Sequence, residues 1–268
     1  MKKATNAEPK RHMFVTDLHY GYELDPETGK RRRIHDRKAA DVMLQFARDF
    51  RPHVMILGGD ILDCHPVSPH NTAKDKPGVV EGLRFRDDVR GCRSEYLEPI
   101  EALGCERYVF ITGNHEAWIN QFTEKHPQLK GILDLRTLLM LDERWELIRQ
   151  GGRFDLGKLT FVHGDQLSGS DAAAKAACIS FERNIRFGHI HTAQIYTKSS
   201  VGNGEPGKTG MAVPCLAMKQ PAYSKGKPNR WCTGFSFGYT RPGGFSDYIA
   251  VIVRGEATIN GKTYTGKG

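Results

Sequence analysis

Five short apolar segments of this sequence each run directly into a group of Asp, Asn or His residues. The segments are rich in β-branched and aromatic side chains, as buried strands are, and they are Met13–Val15, Val54–Leu57, Tyr108–Ile111, Leu159–Val162 and Ile185–Phe187. The polar residues that follow them are Asp17 and His19, Asp60 and Asp63, Asn114 and His115, His163, and His189 and His191. Because ligands bind outside the carboxyl ends of strands in open α/β sheets, this pattern predicts one shared site.

Asp, Asn and His side chains without cysteine form a donor set that suits hard or borderline metals such as Mg, Mn, Fe or Zn. Taken alone, an Asp or His at a strand end is more often a hydrogen-bonded turn residue. We interpret Asp165 in this way, and Glu116 and Trp118 as packing or supporting residues. The repetition after five strands favours a metal site for the whole set. The other histidines lack this context and are expected to be ordinary: His12, His35, His53, His65, His70 and His126.

The segments between the strands contain predicted helices. Apolar residues recur at helical spacing from His35 to Phe50, which places a helix between the first two strands. A strand–helix–strand unit is typical of parallel pairing, so an α/β chain is expected. Further helical segments are predicted over 79–103 with a break at Pro99, over 118–146 as two helices, and over 170–183 with Ser170 as N-cap.

Beyond residue 200 the sequence changes to short β-prone segments separated by turn residues. The segments are Trp231–Tyr239, Tyr248–Val253 and Ala257–Ile259. Turns are predicted at Pro242-Gly243-Gly244 and Asn260-Gly261. We therefore predict a second set of antiparallel strands in this part of the chain.

The length and composition are those of one globular domain. The chain has 268 residues, of which 39% are hydrophobic and 26% charged. We expect a flexible N-terminal tail over residues 1–11 and a single domain over residues 12–268. No apolar run reaches the roughly 18 residues that a membrane span needs, and the basic start lacks the apolar region of a signal peptide. A cytoplasmic protein with no membrane partner and six reduced cysteines is expected.

The charge balance favours an anionic partner. The net charge is +8 and the pI is about 9.2, which is compatible with binding of nucleic acid or nucleotides. Four consecutive cations, Lys30, Arg31, Arg32 and Arg33, lie just beyond Asp17 and His19 and are candidate substrate-binding residues. The same four residues are equally compatible with the solvated tip of a hairpin.

The polar groups form five motifs that together resemble a known family. They are Asp17-x-His19, Gly59-Asp60-x-x-Asp63, Gly113-Asn114-His115-Glu116, His163 and Gly188-His189-x-His191. In this order they resemble the motifs of the calcineurin-like metallophosphoesterase family, of bacterial or phage type. The resemblance covers residues 13–191. It implies an α/β fold, a four-layer α-β-β-α sandwich in which two mixed β-sheets are flanked by helices.

The resemblance implies a centre that holds two divalent metal ions. Mn²⁺ is favoured, and Mg²⁺, Fe, Zn²⁺ and Ni²⁺ are alternatives. In this scheme Asp17, His19 and His191 bind the first ion, Asn114, His163 and His189 bind the second, and Asp60 bridges both. A carboxylate is suited to bridging two cations about 3.5–4 Å apart, and a water between such cations loses a proton readily and attacks phosphorus.

The resemblance also implies two catalytic residues that do not bind metal. His115 is the residue that protonates the leaving group, and Asp63 is placed to orient and charge its imidazole.

The sequence therefore predicts a divalent-metal-dependent phosphoesterase, a phosphoric ester hydrolase in which a metal-bridging hydroxide attacks the ester. A phosphodiesterase or nuclease is favoured because of the basic segment at Lys30–Arg33. A phosphomonoesterase or protein phosphatase is the alternative within the family, although Cys64 stands where the protein phosphatases carry an Arg. The alternative of another class is a metal-binding scaffold without turnover. The presence of all seven ligands favours an enzyme.

Overall fold

The computed structural model describes residues 8–25, 27–71, 80–199, 207–221 and 228–267. Its strands are β1 Lys10–Val15, β2 Tyr22–Leu24, β3 Arg31–Arg33, β4 Val54–Leu57, β5 Arg107–Ile111, β6 Trp145–Ile148, β7 Phe154–Leu156, β8 Leu159–Val162, β9 Asn184–Phe187, β10 Gln194–Lys198, β11 Lys208–Ala212, β12 Gly234–Arg241, β13 Gly244–Val251, β14 Glu256–Ile259 and β15 Lys262–Thr265. Its α-helices are α1 Arg37–Phe50, α2 Phe85–Cys92, α3 Glu98–Glu101, α4 Asn114–Lys125, α5 Leu135–Leu138 and α6 Ala173–Phe181.

Two mixed sheets contain the five strands that the sequence predicts. The first sheet has the order β13-β12-β1-β4-β5-β6, and β1, β4 and β5 run parallel within it. The second sheet has the order β10-β11-β9-β8-β7, and β8 and β9 are parallel. All five strands are therefore confirmed, with their carboxyl ends grouped three in one sheet and two in the other.

Three apolar layers hold the sheets and helices together, because successive side chains of a strand point to opposite faces. On β1, Phe14 faces the space between the sheets and packs on Phe161 of β8, with ring centroids 5.2 Å apart. Met13 and Val15 face the other way, into the layer that contains Val42 and Phe46 of α1. A third layer joins the outer face of the second sheet to α6. The predicted four-layer sandwich is confirmed.

The helices agree with the sequence in α1 and differ elsewhere. Asp36 caps α1 by accepting the N–H of Ala39 at 3.1 Å. The helical segment continues through Pro99 instead of breaking there, because Pro99 lies at the start of α3, where its missing N–H costs little. The residue that precedes α6 as its N-cap is Ala172, so the prediction of Ser170 was wrong.

The segment 118–146 was predicted as two helices, and this prediction was partly wrong. Helix α4 begins earlier, at Asn114, and α5 is a single turn. Trp145 opens strand β6, which pairs in parallel with β5 through Tyr108. Its indole ring packs on Tyr108, with centroids 5.0 Å apart. Pairing with a neighbouring strand therefore makes this segment a strand, and local periodicity does not predict that pairing.

The C-terminal segment forms antiparallel strands as predicted, but it extends the first sheet. Strand β12 pairs antiparallel with β1, and β13 pairs with β12 through a two-residue turn between Arg241 and Gly244. Strands β14 and β15 form a separate hairpin whose turn residues, Asn260 and Gly261, have φ of 51° and 79°, as a type I′ turn requires.

Two further observations bear on domain organisation. Strand β1 begins at Lys10, two residues inside the tail predicted over 1–11, and residues 1–7 lie outside the described part of the chain. Among the described residues, no helix is both long and apolar enough to cross a membrane. The single-domain organisation stays a prediction.

Candidate metal centre

The carboxyl ends of β1, β4, β5, β8 and β9 meet at one edge of the sandwich. Backbone hydrogen bonds join the loops that follow them. The N–H of Asp17 donates to the carbonyl of Gly59 at 3.0 Å, and the N–H of His19 donates to Asp60 at 2.9 Å. In the second sheet, the N–H of Gly188 donates to the carbonyl of His163 at 2.8 Å. The predicted site residues are thus on loops that are fixed to one another.

Five candidate ligands have left-handed backbone, which residues other than glycine rarely adopt. The φ angles are 54° at Asp17, 51° at His19, 51° at Asp60, 65° at His189 and 57° at His191. Such strain costs on the order of 1–3 kcal/mol per residue and is concentrated at functional sites in proteins. Its repetition at these five positions indicates that the loops are shaped to aim side chains rather than to connect strands by the easiest route.

Glycine is needed at two points where loops approach each other closely. A Cβ on Gly113 would lie 2.2 Å from Oδ1 of Asp60, and a Cβ on Gly188 would lie 2.3 Å from Oδ2 of Asp17. No larger residue fits at either position without displacing a carboxylate of the site. These contacts explain why glycine precedes Asn114 and His189 in the sequence.

The first group of candidate ligands is Asp17, His19 and His191, whose donor atoms lie within 4.8 Å of one another. Nε2 of His191 is 3.1 Å from Oδ1 of Asp17 and 3.2 Å from Nε2 of His19. All three side chains are buried. Two imidazole nitrogens and one carboxylate oxygen therefore point at the same small volume.

The second group is Asp60, His163 and His189, which also meet within 4.8 Å. Nε2 of His163 is 3.3 Å from Oδ2 of Asp60 and 3.1 Å from the side-chain oxygen of Asn114. The ring of His189 lies 5.2 Å from that of His163. The four residues come from four different loops of both sheets, as the sequence pattern predicts.

Asp60 lies between the two groups. Its Oδ2 is 3.9 Å from Nε2 of His19 in the first group and 3.3 Å from Nε2 of His163 in the second. A third imidazole, that of His115, places its Nε2 3.9 Å from the same oxygen. One carboxylate oxygen is therefore shared by three histidines, which is the position that a bridging ligand requires.

Each central carboxylate has one oxygen held by the protein and one left to face the imidazoles. Oδ2 of Asp17 accepts the hydroxyl of Thr16 at 2.7 Å and the N–H of His189 at 2.8 Å. Oδ1 of Asp60 accepts the N–H of His115 at 2.9 Å. Such bonds orient a ligand and are typical of metal sites. The free oxygens are the ones that point toward the candidate ions.

Two imidazoles are oriented in the same manner. Nδ1 of His163 donates to the carbonyl of Gly58 at 2.9 Å, so Nε2 carries the lone pair. Nδ1 of His19 lies 3.0 Å from Oδ2 of Asp63, which accepts its proton. A histidine that donates one N–H to a carbonyl or carboxylate and directs the other nitrogen inward has the arrangement of a metal ligand.

Nearby carboxylates oppose the effect of burial on the pKa values of two histidines in this cluster. Burial disfavours the charged form of His19, but the hydrogen bond to Asp63 and the carboxylate of Asp60 raise its pKa to about 9. At His163, burial likewise lowers the pKa and the Asp60 carboxylate raises it, and the net result is a pKa raised to about 10. Burial and then the charge of His163 lower the pKa of His189. The cluster attracts positive charge strongly.

This donor set fits two divalent cations. Asp17, His19 and His191 would hold one, Asn114, His163 and His189 the other, and Asp60 both. The fit rests on imidazole nitrogens that face one another, since two facing lone pairs repel unless a proton or a cation lies between them. Hard and borderline metals take nitrogen and oxygen ligands of this kind.

His115 lies beside this cluster and is held by the backbone of Asp63. Its Nδ1 is 2.7 Å from the carbonyl oxygen of Asp63 and 3.5 Å from the carboxylate Oδ2. That carboxylate is closer to His19, at 3.0 Å. The sequence predicts that Asp63 orients the His115 imidazole, whereas in the structure the Asp63 side chain contacts both His19 and His115. Trp118 packs on the His115 ring at 3.9 Å between centroids.

Glu116 has a role that sequence analysis understated. Its buried carboxylate accepts the backbone N–H groups of Asp60, Ile61 and Leu62 from the β4 loop, at 2.9, 2.6 and 2.9 Å. It also accepts the N–H of Gly113 at 2.9 Å, so it joins the two loops. Burial and the nearby Asp60 raise its pKa to about 7. A glutamate two residues after a strand-end asparagine was the only sequence signal.

The basic segment lies outside the ligand cluster. Strand β3 carries Arg31, Arg32 and Arg33, and Lys30 is exposed just before it. Strands β2 and β3 form the expected hairpin, but the three arginines lie on strand β3 and not at its tip. The hairpin also lies close to the centre, because a Cβ on Gly21, which precedes β2, would lie 3.0 Å from the Asp63 side chain.

Of the residues that the sequence indicates to be ordinary, some lie outside the candidate metal groups and others lie close to the metal centre. Asp165 accepts a hydrogen bond from Gln150 and belongs to none of the candidate metal groups among the described residues. His65 and His70 lie nearer the centre. Nδ1 of His65 is 3.9 Å from Asp63, and His70 packs on Trp118 at 5.6 Å between centroids.

The chain matches one family model and is similar to several solved structures. The family model described as calcineurin-like phosphoesterase matches residues 10–189. Among solved structures, a dimetal phosphatase from Danio rerio is similar at 13% identity, with 97% of this chain and 100% of that chain covered and a TM-score of 0.48. Vacuolar protein sorting 29 from Cryptosporidium parvum is similar at 11% identity, with coverages of 96% and 95% and a TM-score of 0.47. No curated protein sequence matches the chain.

Proposed function

Because this chain belongs to the calcineurin-like phosphoesterase family, we propose that it is a metal-dependent hydrolase that cleaves phosphodiesters, with nucleic acid as the favoured substrate class. The observation that carries the proposal is the pair of donor groups that share Asp60. Bound divalent ions would supply an activated water and neutralise charge on the phosphoryl oxygens.

The protein's own groups account for the placement of these ions. Asp17 and Asp60 contribute one free oxygen each, and the hydrogen bonds to their other oxygens keep them aimed before any ion arrives. Because these oxygens are already oriented, they need not reorient during the reaction. Such preorganisation is the main source of electrostatic catalysis. The side chains of Asn114, His115 and His189 are the partly exposed members of the cluster, so substrate approaches from their side.

His115 is proposed as the proton donor to the leaving oxygen. Its Nδ1–H is anchored on the Asp63 carbonyl at 2.7 Å, which leaves Nε2 as the nitrogen that gives up a proton. Nε2 lies 3.9 Å from Oδ2 of Asp60, close to where the phosphoryl group would bind. Trp118 on the ring face keeps the imidazole from rotating away. Proton donation of this kind contributes typically about 10²–10⁴-fold to the rate.

The preference for diesters is supported by charge close to the centre. A phosphodiester in a polymer continues on both sides of the scissile bond, and its neighbouring phosphates need cations. The β2–β3 hairpin carries Arg31, Arg32 and Arg33 beside the centre. A small phosphomonoester would make no use of them.

Hydrolysis of two chromogenic esters tests the proposal. With added Mn²⁺, we expect the protein to hydrolyse bis(p-nitrophenyl) phosphate faster than p-nitrophenyl phosphate, and to lose both activities with a chelator. Faster hydrolysis of the monoester would support a phosphomonoesterase instead. No hydrolysis of either ester with Mn²⁺, Mg²⁺, Zn²⁺, Fe²⁺ or Ni²⁺ would support the scaffold alternative.

A further inference from the structure

A large open cleft lies beside the candidate metal centre and contains none of its ligands. Its volume is about 1190 Å³, and its walls are the β2–β3 hairpin, the start of α1, residues 218–220 and the turn between β13 and β14. Pockets for small ligands have volumes of about 300–1,000 Å³, so this cleft has room for more than one nucleotide unit.

The cleft is lined by cations, most of which have no acidic partner. Arg33, Arg37, Lys38, Lys219 and Arg254 line it and are exposed, and no carboxylate of the described residues lies within 4.0 Å of their charged groups. They come from three walls that are distant in sequence. Fixed cations that converge without counterions create a field that attracts a polyanion.

Two further arginines of the cleft are held in place by carboxylates. Arg32 is 2.7 Å from Glu23, and Arg31 is 3.8 Å from the buried Asp88 while its guanidinium lies 3.6 Å from the ring centroid of Tyr22. These contacts stiffen the hairpin wall. The hairpin is thus an ordered side of the cleft and presents its charge in a fixed place.

A buried hydrogen-bond donor at the cleft has no partner in the part of the chain that the structure describes. His35 lines the cleft, is 2% exposed and stacks on Tyr20 at 4.1 Å between centroids. Its Nδ1 accepts the N–H of Gly21 at 3.4 Å, so the proton is on Nε2, and Nε2 has no hydrogen-bond partner. Burial lowers the pKa of His35 to about 4, so the ring is neutral. His35 therefore adds no positive charge to the cleft, and burial shields its Nε2 from a ligand there.

Apolar side chains are exposed among the cations. Met218 is 46% exposed and Val253 is 64% exposed, on two different walls of the cleft. A single-stranded nucleic acid presents both charged phosphates and the apolar faces of unstacked bases. A duplex or an inorganic polyphosphate presents only anionic groups to such a surface. The mixture of cations and apolar groups favours the single strand.

The cleft walls are fixed to the metal centre by backbone hydrogen bonds. The N–H of Leu216, two residues before Met218, donates to the carbonyl of Asp17 at 3.0 Å. The N–H of Cys232, which precedes Thr233 of the cleft, donates to the carbonyl of His191 at 2.7 Å. A strand that lies in the cleft is therefore held at a constant position relative to the ligands.

We propose that this cleft binds a single-stranded nucleic acid, with its phosphates on the five unpaired cations and its bases against Met218 and Val253. The inference rests on the proposed function in one respect only, which is that the bound strand is the substrate of the enzyme. Binding itself needs neither bound metal nor turnover.

Fluorescence anisotropy with a labelled dodecathymidylate tests the binding. We compare the wild-type chain with the triple variant Arg37→Gln/Lys219→Gln/Arg254→Gln and with a control that removes three exposed cations elsewhere, Lys130→Gln/Lys158→Gln/Lys175→Gln. We expect the cleft variant to bind about 10–100-fold more weakly near 0.1 M salt, with its log–log salt slope shallower by about 2, whereas the control binds as the wild type does.

Three outcomes would overturn the proposal. They are equal weakening in the cleft variant and the control, tighter binding of a duplex of the same length, and equally tight binding of inorganic polyphosphate. Hydrolysis of bis(p-nitrophenyl) phosphate by the cleft variant separates the two proposals, because this small diester does not reach the cleft and its hydrolysis should be unchanged. Loss of strand binding in the cleft variant, together with no hydrolysis by any variant, would support the cleft and refute the proposed function.

Discussion

Buried histidines occur at the strand ends and elsewhere in this molecule, and only at the strand ends do carboxylates raise the pKa of two of them above its ordinary value. His19 and His163 lie at the strand ends, where carboxylates outweigh burial and raise their pKa values to about 9 and about 10. His12 lies between the sheets and His35 lies at the cleft, and burial lowers both of their pKa values to about 4. Burial alone therefore does not make a histidine a candidate ligand.

His19 and His163 are distinguished by the hydrogen bond of the second nitrogen of each ring. At the strand ends, Nδ1 of His19 and of His163 is bound by Asp63 and by the Gly58 carbonyl, and Nε2 points at a carboxylate. Among the described residues, Nδ1 of His12 and Nε2 of His35 have no hydrogen-bond partner, and the same holds for Nδ1 of the candidate ligand His191. The strand ends provide a set of aimed lone pairs, which the sheet interior does not.

Removal of the shared carboxylate should have the largest effect. Asp60→Asn removes the charge of the carboxylate whose Oδ2 lies 3.3 Å from Nε2 of His163, so the pKa of this histidine would fall toward that of His12. We expect the hydrolysis of bis(p-nitrophenyl) phosphate to fall on the order of a thousandfold or more, because metal-based charge stabilisation amounts to several kcal/mol. The matched control is Asp165→Asn, a carboxylate near the end of β8 that should leave activity within about twofold. Equal losses in both variants would contradict the assignment.

A somewhat smaller loss is expected at His115. His115→Gln removes the proposed proton donor and leaves the seven candidate ligands in place. We expect a loss of about 10²–10⁴-fold on a diester with an alkyl alcohol leaving group, and a much smaller loss with p-nitrophenolate, which leaves without protonation.

The ratio of the two losses at His115 is the decisive measurement. Equal losses with both leaving groups would contradict proton donation and would favour a ligand role. That role has some geometric support, since His115 meets His19 and Asp60 within 4.8 Å.

The smallest effect concerns stability, at His12 between the two sheets. His12 has a folded pKa of about 4, below its ordinary 6.5, so the folded state binds fewer protons than the unfolded state between these values. Stability is therefore lost as pH falls from about 6.5 toward 4, by about 3 kcal/mol in total.

Urea unfolding at pH 7 and pH 4 checks this linkage. His12→Phe removes the titrating ring and keeps an aromatic side chain against Phe161, which lies 5.7 Å away between centroids. We expect this variant to lose about 3 kcal/mol less than the wild type between the two pH values. An identical loss in both proteins would show that His12 does not titrate as its burial implies.

The sequence predicted the strands of the centre well, because the relevant pattern is local. Apolar runs such as Val54–Leu57 and Leu159–Val162 are continuous, and the polar residues follow at once, so chain order alone shows which loops converge. This arrangement needs no long-range information beyond the edge that parallel strands share.

The features that the sequence did not predict depend on partners distant in the chain. Trp145 becomes part of a strand because Tyr108 pairs with it. His35 was interpreted as ordinary, and only the structure brings it together with Arg254 at one cleft. Glu116 looked like a packing residue because its four backbone donors belong mostly to another loop. Such roles are set by tertiary contacts, which periodicity does not contain.

The most direct test of the central claim is the number of metal ions that the chain binds. After equilibration with Mn²⁺ and removal of excess ion, we expect two ions per chain in the wild type and in His12→Phe. We expect at most one in Asp60→Asn, because both donor groups share this carboxylate. Two ions in Asp60→Asn, or none in the wild type, would contradict the account.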